Sequence, residues 1–282
     1  MTVHKNRKIF ITRVLSPAER IGLIAFAVAV LLGAVDLRLA TVPLTLFVIL
    51  CAMAPFFPGI GFFFPVTSRG NTGKPMVSLT FDDGPDPLTT SRLLELLARY
   101  DTPATFFVTG RRATQYPHLI RMILDHGHSV GNHTFSHDCF RIFWQPSRLA
   151  REIDDTQNAL SLLGVVPRVF RPPVGIITPV MGKLLARRDL ALVNFSCRAR
   201  DWGNRCVNGM AHRILEKVRP DDIVLLHDTP GGDPARVDRW LREVEAVLKG
   251  LQRKGLAVVP LERVIGRPVT QTATFLKKMD QA

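Results

Sequence analysis

The sequence predicts an α/β fold: a distorted, incomplete (β/α) barrel of parallel strands, preceded by an N-terminal transmembrane helical hairpin. Three observations predict it. Two uncharged apolar runs, separated only by "DLR", fill most of residues 20–66. From residue 75 onward, short apolar runs alternate with amphipathic stretches. Acids, histidines and an arginine recur at the ends of the strand-like runs and are sparse inside them.

Residues 1–19 form a basic segment. Up to residue 20 the chain holds Lys5, Arg7, Lys8, Arg13 and Arg20 against the single acid Glu19, a large share of the net charge of +13. The runs "IGLIAFAVAVLLGAV" and "LATVPLTLFVILCAMAPFFPGIGFFFPV" follow. A bilayer core needs about 20 apolar residues per helix, so the first run must borrow its flanks and the second is long enough alone. The expected arrangement over 20–66 is two helices, about 20–36 and 40–64, with Asp36 and Arg38 at the turn. One span followed by an interfacial "FFPGIGFFFP" is the competing arrangement. A cleaved signal peptide is disfavoured, because the second run follows directly and no small-residue cleavage site separates the two. The basic end is expected to stay in the cytoplasm. Two spans then return the rest of the chain to the cytoplasmic face of the inner membrane, whereas one span sends it outward; the reading here is two. A lipid bilayer is thus an expected partner. The remaining basic side chains are spread without blocks of interleaved aromatics, so nucleic acid is not an expected partner. Cys51, Cys139, Cys197 and Cys206 lie far apart with no Cys-x-x-Cys pair, which reads as four free thiols.

Residues 75–265 carry the strand–helix alternation. "MVSLTF" reads as a strand and "TTSRLLELLARY" as a helix with leucines at helical spacing. "ATFFVTG" is the next strand, and "YPHLIRMILDHG" the next helix, closed by Gly127. "HSVGNHT" and the helix "PSRLAREIDDTQNALSLLG" follow, then the short strand "RVF" and a helix near 178–188. "LALVNFS" precedes a helix near 208–218, and "DIVLLHD", a helix over 235–254 and "LAVVP" complete the run. Such alternation means a parallel sheet, and six or seven strands suit a barrel related to the eight-stranded type but incomplete. Residues 266–282 read as a tail.

The polar residues can now be placed. Asp82 and Asp83 end the first strand, His133 and His137 follow the third, Arg171 the fourth, Asp201 the fifth, and His227 with Asp228 the sixth. Active sites of parallel barrels are built from the carboxyl ends of strands, so these residues are expected to converge in one mouth, with Gly84–Pro85 turning the backbone away beneath the two acids. His133-x-x-x-His137 plus one aspartate gives the three protein ligands of a catalytic zinc-like site. Adjacent aspartates do not readily face one atom, so one is expected to bind the ion and the other to take a proton from the attacking water. A second side chain must protonate the leaving group. His227 is available, with Asp201 to orient it.

At these residues the chain resembles the polysaccharide deacetylases of carbohydrate esterase family four, over about residues 75–265. "TFDDGP" and "HTFSH" are the most specific motifs, joined by "RPPVG", "RDW" and "LLHD". The resemblance implies a hydrolase that removes an N-acyl group, most simply N-acetyl, from an amino sugar in a glycan or a lipid-linked saccharide. It implies one divalent metal ion, Zn2+ first with Co2+, Ni2+ or Mn2+ as alternatives, held by Asp83, His133 and His137. Asp82 would be the base, Arg171 would hold it, and Thr134 would steady the histidine loop. Pro172 and Val174 would lie at the substrate, a backbone N–H near Val174 helping to form the oxyanion hole. Asp201 would tune the acid His227, Trp202 would line the pocket, and Leu225 would meet the acetyl methyl.

Two positions depart from the family pattern. The aromatic usual after "RPP" is Val174, and Arg198 stands where an acid usually precedes the "DW" aspartate by three residues. A basic group there suits a substrate with a nearby phosphate or carboxylate. A deformylase acting on an undecaprenyl-phosphate-linked aminosugar and a carbohydrate O-acetyl esterase remain alternatives on the same site. A membrane-anchored glycan-binding relic would have lost part of the metal triad or the acid–base pair, and all five residues are present.

Overall fold

The computed structural model describes residues 15–139, 145–201, 203, 205–229 and 233–272. Most of the basic N-terminal segment, Trp202 and the end of the expected tail lie outside the described residues.

Two apolar helices come first, α1 (Pro17–Gly33) and α2 (Leu37–Met53). Ser16 and Glu19 close a reciprocal capping box on α1, each side chain taking the other's backbone N–H, and Asp36 caps α2 through the Arg38 N–H at 2.8 Å. The two lie against one another closely enough that a methyl on Gly22 would stand 2.9 Å from the Phe47 ring. Their outer faces stay exposed, with Leu31, Phe26 and Val48 all more than half accessible. The second helix stops well short of 64. Pro55 and Pro58 cannot extend its hydrogen-bond ladder, and two short 3-10 turns, Ala54–Phe56 and Pro58–Ile60, replace it. The segment Leu37–Phe56, with mean hydropathy 2.2, is long and apolar enough to cross a membrane.

The rest is one parallel sheet wrapped by helices. In chain order its members are β1 (Met76–Asp82), α3 (Thr90–Arg99), β2 (Ala104–Val108), α4 (Gly110–Gln115), α5 (Pro117–Asp125), β3 (Ser129–Asn132) and α6 (Pro146–Ser161). Then come β4 (Val165–Pro167), β5 (Val169–Phe170), α7 (Pro179–Ala186), β6 (Ala191–Leu192), β7 (Cys197–Arg198), α8 (Met210–Lys217) and β8 (Ile223–His227). The series ends with α9 (Pro234–Arg253), β9 (Ala257–Val258), α10 (Leu261–Ile265) and β10 (Thr270–Thr272). The sheet runs β6-β5-β3-β2-β1-β8-β7, with β9 pairing the start of β1. Among the described residues no ladder joins β6 to β7, so the sheet curls into a half-barrel, as the strand count predicted. Thr67 pairs in parallel with Val193 and Arg69 antiparallel with Asp222, which ties the linker after the apolar helices to both sides of this opening.

The central strand explains the layout. Val77, Leu79 and Phe81 are fully buried against the helices, in a core shared with Leu93, Leu97, Ile120, Val244 and Leu251. The alternating residues Ser78, Thr80 and Asp82 are equally buried but polar, and face the other side of the sheet. Period-two alternation thus separates a greasy helix-facing layer from a polar barrel interior. The expected elements are present, most shorter than their apolar runs. Three short strands escaped the periodicity: Val165–Pro167, Cys197–Arg198, and Thr270–Thr272, which pairs antiparallel with the first of them at the start of the expected tail. Runs of two or three residues carry too little alternation to read.

Candidate active site

Alternation along β1 delivers Asp82 into the barrel interior, where Arg171 meets it. The Arg171 guanidinium is fully buried; one of its NH2 groups donates to Asp82 Oδ1 and to Thr80 Oγ1, both at 2.7 Å. Its remaining donors go to the Val193 and Asn194 carbonyls at 3.2 and 3.0 Å, and the group sits 3.9 Å above the Phe107 ring. Burial pulls the Arg171 pKa down, and the Asp82 charge opposes this. Removing either partner would leave an uncompensated buried charge, the costly way to break such a pair.

Asp83 turns away from its neighbour because its backbone is left-handed, at φ 72°. The reversal sends its carboxylate toward the loop after β3, where His133 Nε2 lies 3.4 Å and His137 Nε2 3.1 Å from Oδ1. Neither approach has hydrogen-bond geometry, so Asp83 Oδ1 is buried without a donor. Burial alone would raise this carboxyl; the adjacent His133, then His137 and His227, outweigh it and hold the group well below the usual carboxylate range. His133 Nδ1 faces the Arg171 carbonyl at 2.8 Å, which fixes the proton on that nitrogen and leaves Nε2 with a lone pair toward Asp83. The donor atoms of Asp83, His133 and His137 lie within 4.8 Å of one another, a set able to hold a metal ion.

The histidine loop is strained and pinned. Thr134 and His137 also have positive φ, 65° and 58°. Conformations of this kind cost about 1–3 kcal/mol each and persist only where the surroundings over-determine them. Thr134 is buried; its N–H donates to Asn132 Oδ1 and its carbonyl accepts from the Gly110 N–H. The main pin is Glu152 of α6, which the sequence reading missed. Its carboxylate takes the N–H groups of Phe135 and Ser136 at 2.9 and 2.6 Å and the Ser136 hydroxyl at 2.7 Å. The available signal was an acid standing in the apolar stripe Leu149–Ile153–Thr156–Leu160.

Across the mouth, His227 Nδ1 lies 3.0 Å from Asp201 Oδ2. Burial would lower this imidazole, but the hydrogen bond and charge of Asp201, with the more distant Asp83 and Asp82, raise its pKa to about 9. Register places Asp82 directly beside His227 on the adjacent strand. Leu225 and the exposed Val174, whose own φ is 54°, line the same cleft, whereas Pro172 is buried and does not. Trp202 lies outside the described residues. Asp228, expected in the mouth with His227, does not line the cleft; it is fully buried and accepts hydrogen bonds from the Thr89 and Thr90 hydroxyls at 2.8 and 2.6 Å. Burial raises its carboxyl to about 7. All four described cysteines are free.

Asp82, Asp83, His133, His137, Asp201 and His227 share one open cleft of about 720 Å³. It holds a buried acid locked to an arginine, a candidate metal triad, and an imidazole backed by a carboxylate. Residues 69–193 match the family model described as Polysaccharide deacetylase. The chitooligosaccharide deacetylase of Bradyrhizobium sp. (strain ANU 289) is 36% identical over 203 residues, covering 68% of this chain and 92% of the relative. A peptidoglycan-N-acetylglucosamine deacetylase of Bacillus cereus is 31% identical over 202 residues, covering 71% and 92%. Among solved structures, the Bc1960 peptidoglycan N-acetylglucosamine deacetylase in complex with 4-naphthalen-1-yl-N-oxidanyl-benzamide superposes with a TM-score of 0.67 at 28% identity, covering 72% of this chain and 94% of that one. With a half-barrel of the same build and similarity over nearly the full length of these relatives, the chain belongs to the polysaccharide deacetylase family.

Proposed function

We propose that the protein is a metal-dependent hydrolase that removes the N-acetyl group from an N-acetylated amino sugar of the chitooligosaccharide or peptidoglycan type. The observation that carries this reading is the convergence of Asp83, His133 and His137 around a buried carboxylate oxygen that has no donor, between the Asp82–Arg171 and His227–Asp201 pairs. An orphaned anionic oxygen facing two imidazole nitrogens suits a divalent cation of the zinc class, which takes nitrogen and carboxylate ligands. When bound, such an ion polarises the amide carbonyl and favours ionisation of water.

The chain's own residues do the rest. Asp82, held by Arg171, takes the proton from the attacking water. The acyl carbon becomes tetrahedral, and its oxyanion is met by a backbone N–H near Val174. His227, kept protonated by Asp201, gives its proton to the departing nitrogen, so that an amine and a free carboxylate leave. Leu225 offers an apolar contact to the acyl methyl, and Thr134 and Glu152 hold the histidine loop in place. The similarity to relatives named as deacetylases, one of chitooligosaccharides and one of peptidoglycan N-acetylglucosamine, supports acetyl as the group removed.

Incubation of the purified protein with N-acetylglucosamine oligomers tests the reading by mass spectrometry. A loss of one acetyl mass per turnover, with matching release of acetate, is expected. Intact oligomers and intact peptidoglycan fragments, each after incubation with metal-replete protein, would together overturn it.

A further inference from the structure

The wall of the cleft beside His227 is built by the stretch "CRARD" at the end of β7. Cys197, Ala199 and Asp201 are buried, while Arg198 and Arg200 between them are exposed. Arg198 ends the strand and Arg200, at φ 52°, has already left it, yet both side chains line the cleft, where Arg205 joins them. Arg198 rests over Phe195, 5.7 Å from the ring centroid.

The charges in the cleft do not balance locally. Asp82 is matched by Arg171 and Asp201 by His227, leaving one carboxylate, Asp83, against three arginines before any cation is bound. None of the three guanidiniums has a carboxylate or hydrogen-bond partner among the described residues. Elsewhere on the molecule arginines are commonly paired, as Arg92 is with Asp238, Arg112 with Asp86, Arg168 with Asp189 and Arg188 with Asp154. Three unmatched guanidiniums in a concave site focus a positive potential where the substrate must sit, and the planar fork of arginine matches phosphate and carboxylate oxygens in a bidentate fashion.

We infer that Arg198, Arg200 and Arg205 form a specificity site for an anionic group, a phosphate or a carboxylate, carried by the amino sugar whose acyl amide is cleaved. The inference rests on the amino-sugar reading of this cleft and extends it to a charged substrate class.

Calorimetric titration of the full chain in detergent tests it with three sugars: N-acetylglucosamine, N-acetylglucosamine 1-phosphate and N-acetylmuramic acid. At least one anionic sugar should bind wild type about tenfold tighter than the neutral one or better, the scale of a single charge-assisted hydrogen bond. The preferred anion identifies the source as a phosphate-linked sugar or a carboxylate-bearing glycan. In the Arg198→Gln/Arg200→Gln/Arg205→Gln variant the affinity ratio should fall to about twofold or less, and the corresponding lysine triple should lie between. Circular dichroism checks the fold, and the three single glutamine variants replace the triple if it does not fold. Equal binding of all three sugars by wild type, or a preference that survives in a folded glutamine variant, would overturn the proposal. Because binding is read separately from turnover, anion preference without acetate release rejects the hydrolase reading and leaves the arginine site standing. Acetate release without anion preference does the reverse.

Discussion

Two adjacent aspartates are put to different uses by backbone geometry. Asp82 stays in the strand and points into the barrel, while Asp83, with φ at 72°, leaves it and faces the histidines. Asp82→Asn should therefore lower kcat by about 10²- to 10⁴-fold, the range for a general base, while the metal content of the protein is unchanged. Loss of metal in Asp82→Asn with retention in Asp83→Asn would exchange the two roles. On the other side, Asp201 raises His227 to about 9, well above the ordinary imidazole value. The native state thus holds a proton that the unfolded chain releases near pH 6.5, so this pair stabilises the fold fully below that pH and the contribution is lost as pH rises through about 9. In the metal-free protein an NMR titration of His227 should give a midpoint near that value. Asp201→Asn should bring the midpoint down and draw the basic limb of the pH–rate profile to lower pH; an unmoved limb would mean that another group sets it. Strand ends located all four residues in the sequence and suggested Asp201 behind His227, whereas the pairing of Arg171 with Asp82 was implied by the family resemblance. Glu152 was not legible, because its partners are two loop amides and one hydroxyl on a neighbouring element, a pairing that no motif spacing marks.

At the scale of elements, the turn after β1 is fixed by close approach to the strand beside it. A Cβ on Gly84 would lie 2.6 Å from Asp228 Oδ2, and Asp228 has no room to retreat because Thr89 and Thr90 hold its carboxylate. Gly84→Ala should destabilise the protein by about 1–3 kcal/mol, the usual cost of overpacking, and lower activity by displacing Asp83. Thermal melting beside wild type reads the first effect; an unchanged melting temperature would show that the loop can yield. The sequence reading placed this glycine correctly as a turn but had no access to its neighbour, 144 positions along the chain. The same limit explains the missed strands. The half-barrel was readable because its long central strands carry strong apolar patterns, whereas β4, β7 and β10 are defined by their partners rather than by their own residues.

At the scale of the whole molecule, the apolar helices and the catalytic half-barrel are joined through the segment that pairs Thr67 with Val193 and Arg69 with Asp222. The exposed apolar faces of α1 and α2 exceed what a surface in water ordinarily carries, which supports the proposal that residues 20–64 insert in a bilayer. If both helices span it, a reporter fused after Ala282 should behave as cytoplasmic; a strongly active alkaline phosphatase fusion there would support one span and an exported domain. Neither the direction of insertion nor the charge of the cleft wall could be read from periodicity, since each depends on what surrounds the chain. The proposed function requires Asp83, His133 and His137 to hold one ion on which amide hydrolysis depends. Elemental analysis and acetate release, measured together on wild type and on the His133→Ala/His137→Ala variant, test it most directly. Wild type should carry one equivalent of a zinc-like ion, lose activity on chelation and regain it on adding metal back, and the variant should show neither metal nor activity; full metal occupancy in the variant, or undiminished deacetylation by chelated wild type, would refute the metal assignment.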